Sequence, residues 1–280
     1  MTDPRWLAWM GELVVAAADM LQVEPNGPQR PGLDGRSLGC EVVSSAGARW
    51  LRVVTDRPPW TQSPAWTGNV EANAIVGVSK PVVTAHTEWD RDGRRVRAEL
   101  MTLALGAAVA TEMVLRDAVD LDRRWWDELR SSIDTLAGHP TERICLDQRL
   151  LRRRLNEAAG SDVDIDGLQW STAHGDLQWT NLTAPECCLL DWESWGRAPA
   201  GYDAALLLCA SLLQPDLASR VYATFADLLD TFTGQVAQLA AAAKMLELAP
   251  LGHHSDLAAP LRQHTEALLS TIRVRGGAAL

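Results

Sequence analysis

One polar segment sits inside an otherwise helical half of the chain: Trp170-Ser-Thr-Ala-His174-Gly-Asp176-Leu-Gln-Trp-Thr-Asn181-Leu-Thr, followed ten residues after Asn181 by Asp191-Trp-Glu193. Apolar residues at helical spacing surround it, over Leu121 to Leu136, over Leu146 to Ala159, and from Ala204 to about Ile272. The last stretch carries breaks near Pro215, Gly234, Pro250 to Ser255 and Pro260. Asn181-Leu-Thr and Cys187 to Leu190 flank Ala-Pro-Glu, so the spacing predicts a short hairpin that brings Asn181 near Asp191. Asp176 then lies on the loop entering the hairpin.

The first hundred residues read differently. Trp6, Leu7, Trp9, Met10, Leu13, Val14, Ala17 and Leu21 predict an amphipathic helix over 4–22, opened by Asp3 and Pro4 as cap and first turn. A Pro/Gly-rich loop over 25–35 follows. Residues 39–45 and 49–55 around Ala46-Gly47-Ala48 predict a hairpin, and 81–89 with 95–103 around Asp90-Arg-Asp-Gly93 predict a second. Between them Pro58, Pro59 and Pro64 mark a loop, and Gly68 to Ile75 a short helix. The expected fold is α+β, with a small antiparallel β-rich N-terminal lobe over 1–104, a larger helical lobe over 105–280, and a ligand cleft at their junction.

Charge and cysteine usage narrow the function classes. The formal charge of −10 is concentrated after residue 160, where 14 acids face 6 bases, a net −8 that leaves −2 for the rest. Such a field disfavours nucleic acid and favours cationic ligands, the competing reading being acid spread over solvated helix faces for solubility. The 5 cysteines form an odd set without C-x-x-C spacing, and adjacent Cys187 and Cys188 read as small hydrophobes, which predicts a reducing, cytoplasmic setting and no structural metal. The N-terminus shows no signal-peptide pattern, and the longest strongly apolar stretch, Ala204 to Leu213, is about half a bilayer span.

A carboxylate set beside a second carboxylate and an amide oxygen suits phosphoryl transfer, which needs one group to orient a hydroxyl and take its proton, and hard oxygen ligands for Mg²⁺. The order His174-Gly-Asp-Leu-x-x-x-Asn181 with Asp191-Trp-Glu193 resembles the aminoglycoside phosphotransferase and choline kinase family, whose fold is protein-kinase-like. The resemblance is dense over 170–207 only. It implies Asp176 as catalytic base, Asn181 and Asp191 as Mg²⁺ ligands, His174 as a brace of the loop, and Asp203 in Gly201-Tyr-Asp-Ala-Ala-Leu as the group that holds the loop backbone. It also implies ATP or GTP as donor and a small cationic hydroxyl-bearing acceptor, an antibiotic in first place, with choline-like or other metabolites as the alternative.

In the N-terminal part, Arg52 stands where such relatives carry a strand lysine on the α/β-phosphates, Glu71 is the candidate helix partner, and Lys80 a weaker substitute for Arg52. Arginine keeps the charge but adds length and a planar fork. No G-x-G-x-x-G loop is present, only Gly32, Gly35 and Gly39. The hinge falls near Met101 to Ala104, so Met101 and Leu103 are the base-contact candidates. Glu193, Trp179, Trp192 and Trp195 are acceptor candidates, the tryptophans competing with plain core packing. Among the other classes, a pseudokinase is motivated by Arg52 but opposed by the intact Asp176, Asn181 and Asp191. A metallohydrolase needs more imidazoles than His174 supplies, and His253-His254 lacks supporting ligands. A protein kinase would carry glycine-loop, D-F-G and A-P-E signatures in order, which are absent as a set.

Overall fold

The computed structural model describes residues 3–32, 35–159, 165–248 and 254–277. The chain divides into two compact units, residues 1–74 with 80–104, and residues 75–79 with 105–280. The short return at 75–79 is absent from the sequence expectation of a single boundary. It is fastened within the second unit by the Leu189 N–H, which donates to the Ser79 carbonyl at 2.9 Å.

In the first unit, helix α1 (Pro4–Leu21) starts where the Asp3 carboxylate accepts the Arg5 N–H, with proline at a position whose N–H has no helical partner. Its buried residues Met10, Leu13, Val14 and Ala17 recur three and four apart. They pack on an antiparallel sheet of β1 (Glu24–Pro25), β2 (Arg30–Pro31), β3 (Ser37–Ser44), β4 (Gly47–Asp56), β5 (Val83–Arg91) and β6 (Arg94–Met101). The spatial order is β1-β3-β4-β6-β5, with β2 also on β3. Leu51 and Val53 of β4 and Val96, Ala98 and Leu100 of β6 join the α1 core. Strand alternation therefore sends Arg52, Arg97 and Glu99 to the opposite face. Between β4 and β5 the predicted short helix is a single turn, α2 (Gly68–Glu71), continued by a 3-10 turn at Ala72–Ala74.

The second unit contains β7 (Ala107–Ala108), α3 (Arg123–Ala137), α4 (Gln148–Ala159), β8 (Trp170–Ala173), β9 (Thr183–Ala184), β10 (Gly196–Pro199), α5 (Tyr202–Ala210), α6 (Pro215–Leu229), α7 (Phe232–Leu248) and α8 (Ala258–Gly277). Helix α7 packs against α4, α5, α6 and α8. Its residues 236–243 are all buried, as expected for a helix apolar around its whole circumference. Two expected breaks move. The α6–α7 break falls at Asp230 and Thr231, with Gly234 inside α7, and Pro260 lies in the first turn of α8, where proline is tolerated. Residues 107–108 form a strand on β9 where a helical pattern was expected, and β10, unforeseen in the sequence, pairs with β8. The five cysteines are free thiols. Among the described residues no helix is long and apolar enough to cross a membrane.

Candidate active site

Strand β8 delivers the chain into the loop His174-Gly175-Asp176, and pairing with β10 (Ala173 opposite Gly196) fixes its exit. Gly175 has φ +80°, and a Cβ there would sit 2.4 Å from Cys145 Sγ and 2.7 Å from the Ser194 carbonyl, so only glycine lets the loop press this closely. Asp203, in the first turn of α5, is buried and accepts the His174 N–H on Oδ2 at 2.7 Å and the Gly175 N–H on Oδ1 at 2.8 Å. Burial pushes its carboxyl pKa up against the opposing pull of His174 and of these two N–H groups.

The His174 ring is fully buried and its Nε2 donates to the Leu190 carbonyl at 2.8 Å. That bond selects the Nε2–H tautomer, and burial lowers the imidazole pKa, so the ring is neutral. The edge of the ring meets Trp192 with centroids 4.7 Å apart. His174 thus ties the loop to the residue before Asp191.

The Asp176 carboxylate receives three donors. Lys244 Nζ reaches Oδ1 at 2.9 Å, while Gln178 Nε2 (3.0 Å) and Asn181 Nδ2 (3.2 Å) reach Oδ2. Its side chain keeps 27% of its surface. Burial would raise the carboxyl pKa, but the Lys244 charge and hydrogen bond, with help from His174 and Asn181, outweigh it and leave it below the ordinary value. For Lys244, burial pulls the other way, yet the Asp176 carboxylate holds the ammonium protonated above its usual range.

After a 3-10 turn at Trp179–Asn181 the predicted hairpin is present in a shorter form, with a Leu182–Leu189 bridge and the Leu190 N–H donating to the Asn181 carbonyl at 2.8 Å. Its outer strand β9 pairs with β7, and Trp125 Nε1 donates to the Thr183 carbonyl at 2.7 Å. Asn181 and Asp191 therefore flank the open end of one hairpin. Asn181 donates through Nδ2 to Asp176, leaving its side-chain carbonyl oxygen outside those bonds. Asp191 is exposed and has φ +59°, a left-handed conformation that aspartate tolerates better than most residues. Arg143 braces the following segment, donating to the carbonyls of Trp195 (3.1 Å) and Glu193 (3.2 Å) with its guanidinium 4.7 Å above the Trp195 ring.

Among the described residues no group of three or more His, Cys, Asp or Glu is arranged to hold a metal. The donor set nevertheless fits Mg²⁺, which keeps several waters and binds through one or two protein oxygens plus substrate phosphates. One exposed carboxylate and one amide oxygen at a hairpin mouth suit that mode. His253 lies outside the described residues.

The three tryptophans are corrected by the structure. Trp179 is fully buried, stacks on Trp125 (6.2 Å) and donates to Ser211 Oγ at 3.0 Å. Trp192 and Trp195 are buried too, with Trp192 Nε1 donating to the Leu189 carbonyl at 2.8 Å. With all three rings buried inside the protein, none offers an acceptor platform. Glu193 is half-buried. Three acids of the C-terminal half are engaged with neighbouring side chains: Asp227 and Asp256 in ion pairs with Arg130 and Arg116, and Asp230 with the Tyr222 hydroxyl.

In the first unit, Arg52 Nη1 lies 3.4 Å from Glu99 Oε2, its register partner across β4 and β6. Glu99 is buried and also takes Asn69 Nδ2 and Arg97 Nε, each at 2.9 Å. Glu71 accepts the Thr67 hydroxyl. Gly39 serves packing, since a Cβ there would meet the Trp50 ring at 2.5 Å. Met101 is buried at the end of β6 and Leu103 is exposed beyond it.

Sequence reasoning missed Lys244 and Glu99. Lys244 is the only charged residue over 231–246, and a lone cation on an apolar helix announces a buried partner. That signal was available.

No family model matches the chain, and no curated protein matches it. Solved structures do. The aminoglycoside phosphotransferase APH(4)-Ia aligns with a TM-score of 0.60 at 10% identity, over 94% of this chain and 98% of that one. A thermostable mutant of it in ternary complex with AMP-PNP and hygromycin B gives 0.60 at 10%, over 89% and 94%. The GDP complex of aminoglycoside 2'-phosphotransferase-IIIa gives 0.53 at 14%, over 96% and 99%. The chain has the fold of the aminoglycoside phosphotransferases, a protein-kinase-like fold.

Proposed function

We propose that the protein is a phosphotransferase that moves the γ-phosphate of ATP or GTP onto a hydroxyl of a small cationic molecule, an aminoglycoside-like antibiotic being the leading class. The observation that carries this reading is Asp176, a partly exposed carboxylate fixed by three donors on a loop adjoining the hairpin that bears Asn181 and Asp191. Relatives in fold were solved with AMP-PNP and hygromycin B and with GDP, which supports a nucleotide donor and a cationic acceptor.

In this mechanism Asp176 accepts a hydrogen bond from the acceptor hydroxyl and orients its oxygen towards the γ-phosphorus. Both donors from its own loop reach Oδ2, so Oδ1, which has Lys244 alone, is the oxygen with a lone pair left for the hydroxyl. The new O–P bond forms as the bond from γ-phosphorus to the β–γ bridging oxygen breaks, and the hydroxyl proton passes to Asp176. A carboxylate held below its ordinary pKa is a weak base towards an intact alcohol. It therefore takes the proton late, which suits a loose transition state. Asn181 and Asp191 would hold Mg²⁺, which when bound neutralises charge on the β- and γ-phosphates. Asp203 and His174 keep the loop and the hairpin mouth in register. Arg52, paired with Glu99, is assigned to the nucleotide phosphates, Glu71 stays its proposed helix partner, and Met101 and Leu103 are assigned to the base. A cytoplasmic setting and antibiotic resistance follow as part of this proposal.

The test is incubation with ATP or GTP, Mg²⁺ and a panel containing hygromycin B, kanamycin, choline and neutral polyols, read by mass spectrometry for an added phosphate. A phosphorylated cationic product is expected. Transfer to neutral polyols alone would remove the cationic assignment, and no transfer to any acceptor or to water would remove the kinase reading.

A further inference from the structure

We propose that Lys244 is the positioning residue of the candidate active site, fixing the Asp176 carboxylate so that Oδ1 faces the acceptor hydroxyl. This inference rests on the phosphotransferase reading above. Lys244 comes from α7, 68 residues away in sequence, and its ammonium bridges two oxygens of the loop, Asp176 Oδ1 at 2.9 Å and the Gly175 carbonyl at 3.1 Å. It thereby spans the backbone and the side chain of one short loop and restricts both the path of the chain and the Asp176 rotamer. The other two donors, Gln178 and Asn181, come from the loop and its following turn and both act on Oδ2. Without Lys244, nothing among the described contacts would hold Oδ1, and only the two bonds at Oδ2 would resist rotation of the carboxylate about its last bond. An ammonium carries three N–H donors, so the two bonds leave a third that can follow charge as it develops at the loop.

The placement argues against a simple packing role. Lys244 keeps 22% of its side-chain surface and its partner Asp176 keeps 27%, so the pair is not sealed inside the core. Over 231–246 the helix is otherwise free of charge, and its neighbouring residues 236–243 are buried and mostly alanine. A core position would be filled at less cost by another apolar residue, since burying a lone ammonium carries a desolvation penalty that only a well-made pair offsets. The pair is made with the carboxylate that takes the hydroxyl proton in the proposed reaction.

The experiment compares Lys244→Met, Lys244→Gln and Lys244→Arg in the full chain, with ATP or GTP, Mg²⁺ and hygromycin B or kanamycin, and with water as acceptor where neither is used. Lys244→Met is expected to lower kcat by about 100-fold, the scale of a reactive group displaced by an ångström, while the nucleotide KM changes by less than about threefold. Lys244→Arg should restore part of the loss by keeping a cation on Oδ1. In an Asp176→Asn background, Lys244→Met should cost less than about threefold more, because both act through one group. Thermal unfolding reports folding of each variant, and if Lys244→Met does not fold, Lys244→Gln carries the same kcat expectation. A folded Lys244→Met or Lys244→Gln with wild-type kcat overturns the proposal and leaves the kinase reading intact. Equal losses from Lys244→Met in the wild-type and Asp176→Asn backgrounds overturn it as well. A wild-type protein that transfers phosphate to nothing, water included, overturns both.

Discussion

Replacing Asp203 by alanine should release the catalytic loop without dissolving the fold around it. The carboxylate accepts the N–H groups of His174 and Gly175 at 2.7 and 2.8 Å, and both amides belong to buried residues. Alanine leaves two buried donors without an acceptor, at about 1–3 kcal/mol each, so the loop should lose about 2–6 kcal/mol. Relief of the buried charge, which raises the Asp203 pKa, offsets part of this and favours the lower half of that range. A loss of about 2.7 kcal/mol is about a hundredfold in an opening equilibrium. Hydrogen exchange resolved at His174 and Gly175 is the assay, because it reads local opening at those amides. Both should exchange at least about thirtyfold faster in Asp203→Ala, with amides of β3 and β4 unchanged. Asp203→Asn, which keeps one acceptor oxygen but turns an NH₂ on the second donor, should fall between. Unchanged protection at the two loop amides would refute the assignment of Asp203 as their anchor.

Three further outcomes are expected. Asp191→Ala should weaken Mg-dependent nucleotide binding by calorimetry, whereas Asp176→Asn should leave binding near wild type and remove most turnover; both variants binding and turning over normally would end the kinase assignment. Trp179→Ala should destabilise by about 3–5 kcal/mol through a core cavity, while acceptor KM in the folded enzyme stays put; a stable variant with a raised KM would return Trp179 to the acceptor site. His174 and His264 are both held below their ordinary pKa by burial, so the unfolded chain binds more protons. Their contribution is complete above the unfolded value of about 6.5 and is lost as pH falls from there towards the lower folded values. His174→Gln should flatten the drop in urea midpoint between pH 7.5 and 5.5, and an unaltered drop would exclude His174 as a source.

Local pattern carried much of the fold. The three- and four-residue spacing in α1, the β3–β4 turn and the Asp92-Gly93 turn are set by residues close in sequence, and these three elements lie within a few residues of where they were placed. The loop and hairpin from His174 to Asp191 were legible for the same reason. What escaped is contact between distant segments. Nothing near Arg52 announces Glu99, which reaches it through the register of β4 and β6. The tryptophans after Asp176 misled because a ring beside a reactive loop looks alike in sequence whether it faces a ligand or, as with Trp179, the rings of Trp125 and Trp126. Lys244 escaped because its partner lies on another element.

The return at 75–79 bears on how the polypeptide can be divided. A cut after residue 104 looks natural, yet it would strip from the helical fragment the strand of backbone that receives the Leu189 N–H. Leu189 is the hairpin residue paired with Leu182, one position short of the carbonyl that holds His174. A fragment beginning at 105 would therefore expose an unpaired donor two residues before Asp191, while keeping every residue of the helices. Expressed alone it should retain its helical circular dichroism but show a loosened hairpin. Supplying 75–79 as a separate peptide should tighten the hairpin again, so the unit is continuous in space but assembled from two pieces of chain.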